Sequence, residues 1–155
     1  MNTKAQIALT SFVSDFDEFI AACSELERMG VWNVEERGLM SAYFETDLFA
    51  VVLQTMSADG VFERTEADVL NQMFSTSYTP RELNDMYQSL GSVVDDYCDA
   101  DAADAVALLS GIDAELCERY RQLILGACQV VSLADGVAEG DERVLLERLR
   151  IALEG

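Results

Sequence analysis

Apolar residues recur at helical spacing along almost the whole chain. Phe12, Val13, Phe16, Phe19, Ile20, Cys23, Leu26 and Met29 mark one stripe, closed by Gly30, and predict a first helix over residues 12 to 30. Leu39, Met40, Tyr43, Phe44, Leu48, Val51, Val52 and Thr55 predict a second from about Val34 to Ser57, apolar on every side between Leu48 and Leu53 and therefore central. A helix of about 11 residues then ends near Ser75. At Thr79-Pro80-Arg81-Glu82 a capping threonine, a proline at the first helical position and a glutamate three residues after the cap open a helix running to about Tyr97. A short helix over Ala102 to Leu109 leads to Gly111. Leu116, Tyr120, Leu123, Ile124, Ala127, Cys128 and Val131 predict a further long helix over about Asp113 to Leu133, and Leu145, Leu146 and Leu149 a last one. The expectation is an all-α bundle of about six to seven helices.

Within that pattern one stretch occurs twice. Ala58-Asp59-Gly60-Val61-Phe62-Glu63-Arg64-Thr65-Glu66 returns as Ala134-Asp135-Gly136-Val137-Ala138-Glu139-Gly140-Asp141-Glu142, with six of nine positions identical. An apolar run enters each copy and an apolar-periodic segment leaves it, so the unit is a duplicated helix-turn-helix with a pseudo-twofold relation between its copies. Phe44 aligns with Tyr120 and Val52 with Cys128. The chain divides accordingly into an additional N-terminal helix (1–33), a first repeat (34–76), an acidic helical connector (77–112) and a second repeat (113–155), all in one domain.

The acids of each copy have two readings. Gly60 and Gly136 stand where a helix ends, and Glu63 with Glu66, and Glu139 with Glu142, fall in the first turn of the next helix, where unpaired N–H groups and the helix dipole favour carboxylates. Helix capping accounts for them on those terms. The other reading groups Asp59, Glu63 and Glu66, and Asp135, Glu139 and Glu142, as oxygen ligands for a hard divalent cation, Ca²⁺ or Mg²⁺. Gly60 with Glu66 and Gly136 with Glu142 match the glycine-to-glutamate spacing of an EF-hand loop. The front of that loop is absent, since Thr55 and Ser57, or Val131 and Leu133, stand where its first ligands belong. Any ion is therefore held by fewer ligands per unit, with both units contributing.

The doubled Ala-Asp-Gly turn followed by an acidic helix start resembles the TerB-like family, whose members include tellurite-resistance TerB proteins and the amino-terminal domain of membrane-bound DnaJ co-chaperones. The resemblance covers roughly residues 34 to 155. It implies an all-helical bundle with pseudo-twofold symmetry and a metal chelated by the acids of the two turns, here Asp59, Glu66, Asp135 and Glu142. Members commonly carry a small hydroxylated residue where this chain has Glu63 and Glu139, a departure that adds charge and removes a favoured cap.

Charge narrows the partners. Ten basic against 29 acidic residues give a net charge of −19 in 155 residues, 50% of them hydrophobic. The apolar content supports a real core. So negative a surface disfavours nucleic acid and favours cations or basic protein surfaces. Between Glu82 and Glu118 there is no Lys or Arg, and the Asp95 to Asp104 cluster reads either as a solvated linker or as a second cation or partner site. The first helix either covers a groove left by the others or offers a face to a partner, and Trp32 reads as a packed anchor. With no histidine and no CxxC among Cys23, Cys98, Cys117 and Cys128, zinc, di-iron and nucleophilic triad chemistry lack their residues, and the cysteines read as reduced core thiols. No transmembrane run or signal peptide is evident, so a cytoplasmic setting without membrane insertion is expected. The resulting expectation is a non-enzymatic, cation-responsive module in a stress-response or membrane-associated assembly. The alternative is an acidic protein–protein interaction module that needs no ion.

Overall fold

The computed structural model describes residues 3–32, 34–56, 62–89, 105–135 and 147–153, and among these every regular element is an α-helix. They are α1 (Thr3–Arg28), α2 (Val34–Arg37), α3 (Met40–Met56), α4 (Arg64–Phe74), α5 (Pro80–Ser89), α6 (Ala105–Ser110) and α7 (Ala114–Asp135), with residues 147–153 helical as well. The all-α expectation holds. The predicted extension of α5 to Tyr97 and the Asp95 to Asp104 cluster lie outside the described residues.

Helix α1 begins nine residues earlier than its obvious stripe, at Thr3 rather than at 12. Ala5 and Leu9 are buried and continue the series Phe12, Phe16, Phe19, Cys23 at alternating steps of four and three. A small alanine carries that first step, which is why the stripe looks shorter in sequence. The helix ends at Gly30, whose φ of 81° is free of strain only for glycine; Gly30 N donates to Glu27 O (3.0 Å) and Val31 N to Leu26 O (3.3 Å), the paired bonds of a Schellman motif.

The predicted continuous helix from Val34 to Ser57 is interrupted. Gly38 takes φ 77°, closing α2 with a bond from its N–H to Val34 O (2.8 Å), while its carbonyl accepts the Trp32 indole N–H (2.9 Å). Trp32 is buried beneath this corner, as an anchor. Helix α3 then starts under a carboxylate from another helix: Glu27 Oε1 accepts the backbone N–H groups of Met40 and Ser41. That acid at the end of α1 satisfies donors at the start of α3, and no local pattern announces it.

From Leu48 to Met56 nearly every α3 side chain is buried, which fits its place between α1, α4, α5 and α7. Two aromatic groups lock the layers. Phe44 meets Phe19, Trp32, Tyr43 and Tyr120 with ring centroids 5.2 to 5.8 Å apart. Phe74 receives Phe12, Phe16 and Phe49 edge-on at 6.0, 5.6 and 5.2 Å. The Thr55 hydroxyl, fully buried, donates to Val51 O at 2.9 Å, and no buried side-chain polar atom among the described residues lacks a partner.

Helix α4 is the predicted 11-residue helix. It ends at Ser75 in the left-handed conformation (φ 55°), and Asn71 organises the loop beyond it: its Oδ1 accepts from Tyr78 N (2.9 Å) and Thr76 Oγ1 (2.8 Å), and its Nδ2 donates to Tyr78 O (2.8 Å). The capping box before α5 forms as read from sequence. Glu82 N donates to Thr79 Oγ1 (3.2 Å) and Thr79 N to Glu82 Oε1 (3.1 Å). Asp113 caps α7, its Oδ1 accepting from Leu116 N at 3.0 Å.

Cys23 and Cys117 are buried, Cys128 is half-buried, and all three are free thiols; Cys98 lies outside the described residues. Burial, reinforced by the nearby Glu27 carboxylate, pushes the Cys23 thiol up to about 12, and burial alone does the same to Cys128. Both stay neutral at physiological pH. Alkylation by iodoacetamide, followed by mass spectrometry at Cys23 and Cys128, is expected to be slower by roughly a hundredfold or more in the native protein than in urea. Because the folded values lie above the ordinary 9.0, the stability these neutral thiols contribute is fully present below pH 9 and is lost as pH rises toward 12. Equal labelling of Cys23 in native and unfolded protein would contradict this packing.

Candidate functional site

The described part of the first acidic turn begins at Phe62. This residue is buried, its ring 6.2 Å from that of Tyr87, and its N–H donates to Asn84 Oδ1 at 3.0 Å. Helix α5 thus fixes where the chain leaves the turn. The next residue, Glu63, is the N-cap of α4 in extended conformation (φ −96°, ψ 168°), and its N–H donates to Glu66 Oε1 at 3.1 Å. Glu63 is exposed and Glu66 half-buried at the same helix start.

Of the six carboxylates predicted as cation ligands, Glu63 and Glu66 therefore share one helix start, and one oxygen of Glu66 is engaged on the Glu63 backbone N–H. Asp59, Glu139 and Glu142 lie outside the described residues. Asp135 is the last residue of α7, and its side chain is likewise outside them. Among the described residues no three His, Cys, Asp or Glu side chains converge as a metal-binding group.

The helices that precede the two Ala-Asp-Gly stretches pack on each other. Phe44 of α3 and Tyr120 of α7, which lie at the same distance before the two stretches in sequence, meet edge to face at 5.2 Å in the core. The Tyr120 hydroxyl, fully buried, donates to Asp47 Oδ2 at 2.5 Å, with the Phe44 carbonyl 3.2 Å away as a weaker acceptor. A carboxylate on α3 thus reaches a phenol on α7. The sequence signal for this pair is weak, because Asp47 is one of two acids, with Glu45, between Phe44 and the apolar run that opens at Leu48.

A second acidic feature was not legible as a site. Along the seam of α1 and α7, a cavity of about 450 Å³ is lined by Asp15, Glu18, Phe19, Glu118, Gln122 and Leu123 among others, and Glu115 and Arg119 carry its wall into a second one of about 260 Å³ beside Ala22, Glu25, Leu26 and Leu116. The residues pair off in opposite order on the two helices, so α1 and α7 run antiparallel here. Phe19, Leu116 and Leu123 are buried in its floor, whereas the carboxylates stand exposed on its rims. On a helical wheel those acids look like two ordinary solvent faces, and only the packing of α1 on α7 brings them to one groove.

No described helix is long and apolar enough to cross a membrane. In comparisons with known proteins, the family described as tellurite resistance protein TerB matches residues 45–154, which takes in both copies of the Ala-Asp-Gly stretch, all of α4 to α7 and most of α3. No curated protein and no solved structure shows significant similarity to the chain.

Proposed function

The chain belongs to the tellurite resistance protein TerB family, and from that premise we propose that it is a non-enzymatic cytoplasmic module that binds a divalent cation, Ca²⁺ or Mg²⁺, on the carboxylates of its two Ala-Asp-Gly turns and serves a stress-response assembly. The observation that carries this reading is the duplication itself: Asp59, Glu63 and Glu66 recur at identical spacing as Asp135, Glu139 and Glu142. Hard oxygen donors suit these ions, and a chain without histidine offers little to zinc or copper. The contact of α3 with α7 supports cooperation between the units, because the helices that feed the two turns share one core.

Calorimetric titration of metal-stripped protein tests it. Saturable binding of Ca²⁺ or Mg²⁺ is expected in the unchanged protein, and Asp59→Asn with Asp135→Asn is expected to weaken it about tenfold or more, since each substitution removes a charged ligand. Without ion, the same double variant should be as stable as the parent or more so, because mutual repulsion among the acids falls. Ready unfolding of that variant in EDTA would make the aspartates structural caps and remove the ion site.

A second reading, an acidic interaction module that works without an ion, is favoured by two specific observations. Glu66 already spends a carboxylate oxygen on the Glu63 N–H, and a carboxylate-rimmed groove exists away from the turns.

A further inference from the structure

The groove between α1 and α7 has the form of a receptor for a helix. Its floor is apolar, formed by Phe19, Ala22 and Leu26 from α1 and by Leu116 and Leu123 from α7. From Asp15 to Leu26 it follows α1 for about three turns, roughly 16 Å. Two antiparallel helices present a straight furrow into which the side-chain ridge of a third helix fits.

The walls specify the charge of that helix. Asp15, Glu18 and Glu25 stand on the α1 side and Glu115 and Glu118 on the α7 side, against Arg119 as the cation lining both cavities. Glu115 and Glu118 have cationic neighbours on their own helix, Arg119 at 3.9 Å and Arg121 at 3.4 Å, and Glu25 pairs with Arg28. These pairs are exposed and weak, so an incoming cation competes with them readily. Asp15 and Glu18 pair with no cation among the described residues. Spread along both walls for three turns, the carboxylates do not converge on a point as ion ligands do. Their layout matches Lys and Arg spaced along the flanks of an amphipathic helix.

We infer that the α1/α7 groove docks a basic amphipathic helix of a partner protein, with the partner's apolar stripe over the half-buried Ala22 and Leu26, above the buried Phe19, Leu116 and Leu123, and its Lys or Arg residues against Asp15, Glu18, Glu25, Glu115 and Glu118. This deepens the ion-independent reading above and places its contact surface on α1 and α7, away from the start of α4. An anionic membrane surface is repelled by the same walls.

The test uses the full chain in EDTA and two synthetic helical peptides of about 12 residues, enough for three turns. They share a Leu stripe, and one carries Lys on its flanks where the other carries Glu. Binding is read by fluorescence anisotropy and mapped by amide NMR shifts. The Lys peptide is expected to bind saturably, with shifts along residues 15–26 and 113–123, and the Glu peptide not to bind. Asp15→Lys with Glu18→Lys should weaken binding by roughly tenfold, because each reversal turns an attraction into a repulsion. Asp68→Lys with Asp85→Lys makes the same change in net charge on exposed positions of α4 and α5 and should weaken it less than threefold. All four side chains are exposed, and unchanged helical circular dichroism confirms folding.

Equal losses in the two double variants, or shifts spread over the whole surface, would reduce the effect to net charge and overturn the proposal. Sedimentation showing a dimer that Asp15→Lys with Glu18→Lys dissociates would make a second copy the occupant and overturn it as well. Asp59→Asn with Asp135→Asn separates the two sites: peptide binding that survives it belongs to the groove, whereas peptide binding lost with it belongs to the turns and refutes the assignment. Saturable Ca²⁺ binding without peptide binding would leave the cation reading standing and the groove proposal refuted.

Discussion

Replacing Phe44 with alanine is expected to lower the stability of the fold by about 3–5 kcal/mol, the range for deleting a buried aromatic side chain. Phe44 has no exposed surface, and its ring touches Phe19 from α1, Tyr43 from its own helix, Trp32 from the corner before α2, and Tyr120 from α7. The loss combines apolar transfer with a cavity that three separate segments line, so no single helix can move to fill it. Typical domains have only about 5–15 kcal/mol in total, and the variant should be close to unfolding at elevated temperature. Guanidinium denaturation followed by circular dichroism measures the change. Ile7→Ala, at a side chain 64% exposed, should remain within about 0.5 kcal/mol of the parent. A loss below about 1 kcal/mol for Phe44→Ala would mean that this cluster is not the centre of the bundle.

The second large effect belongs to a polar residue. Asn71→Ala should cost about 2–3 kcal/mol, because one truncation removes the acceptor for Tyr78 N and Thr76 Oγ1 and the donor to Tyr78 O. These bonds hold the loop that turns α4 into α5 and keep Tyr78 beside Phe49, where the rings lie 5.7 Å apart. Asn71→Asp retains the one oxygen that accepts both bonds, though it sets a carboxylate oxygen against Tyr78 O in place of the donor, so it keeps the two accepted bonds that alanine loses. Hydrogen exchange resolves the cause: protection of the Tyr78 amide should fall in the alanine variant and persist in the aspartate one. If the two variants are equally stable, the loop is held by its backbone and its flanking caps alone.

Such effects mark the boundary of what the sequence makes visible. Helix existence and type follow from apolar spacing, and the Thr79 to Glu82 box and the 11-residue α4 follow from local signals that act within a few residues. What sequence reasoning misses is non-local. The break at Gly38 depends on the Trp32 indole meeting its carbonyl, and the start of α3 depends on a carboxylate 13 residues upstream. Asn71 reads as an ordinary polar position until the loop folds over it.

The candidate site divides in the same way. The acidic stretch that occurs twice is a contiguous motif and is plain in the chain, and the start of α4 then shows that Glu66 serves its own backbone as well. The α1/α7 groove is assembled from residues about a hundred positions apart, so its charge is legible only as two unrelated polar faces. A net charge of −19 announces acidity without saying where it is concentrated.

The central claim, a divalent cation shared by the two turns, is tested most directly by a backbone-amide NMR titration of metal-stripped protein with Ca²⁺ and then Mg²⁺ at physiological ionic strength. Saturable shifts confined to residues 59–66 and 135–142, moving together with one midpoint, are the predicted result. Weak shifts that do not saturate, spread along the acidic connector and the α1/α7 walls, would be counterion screening and would contradict it.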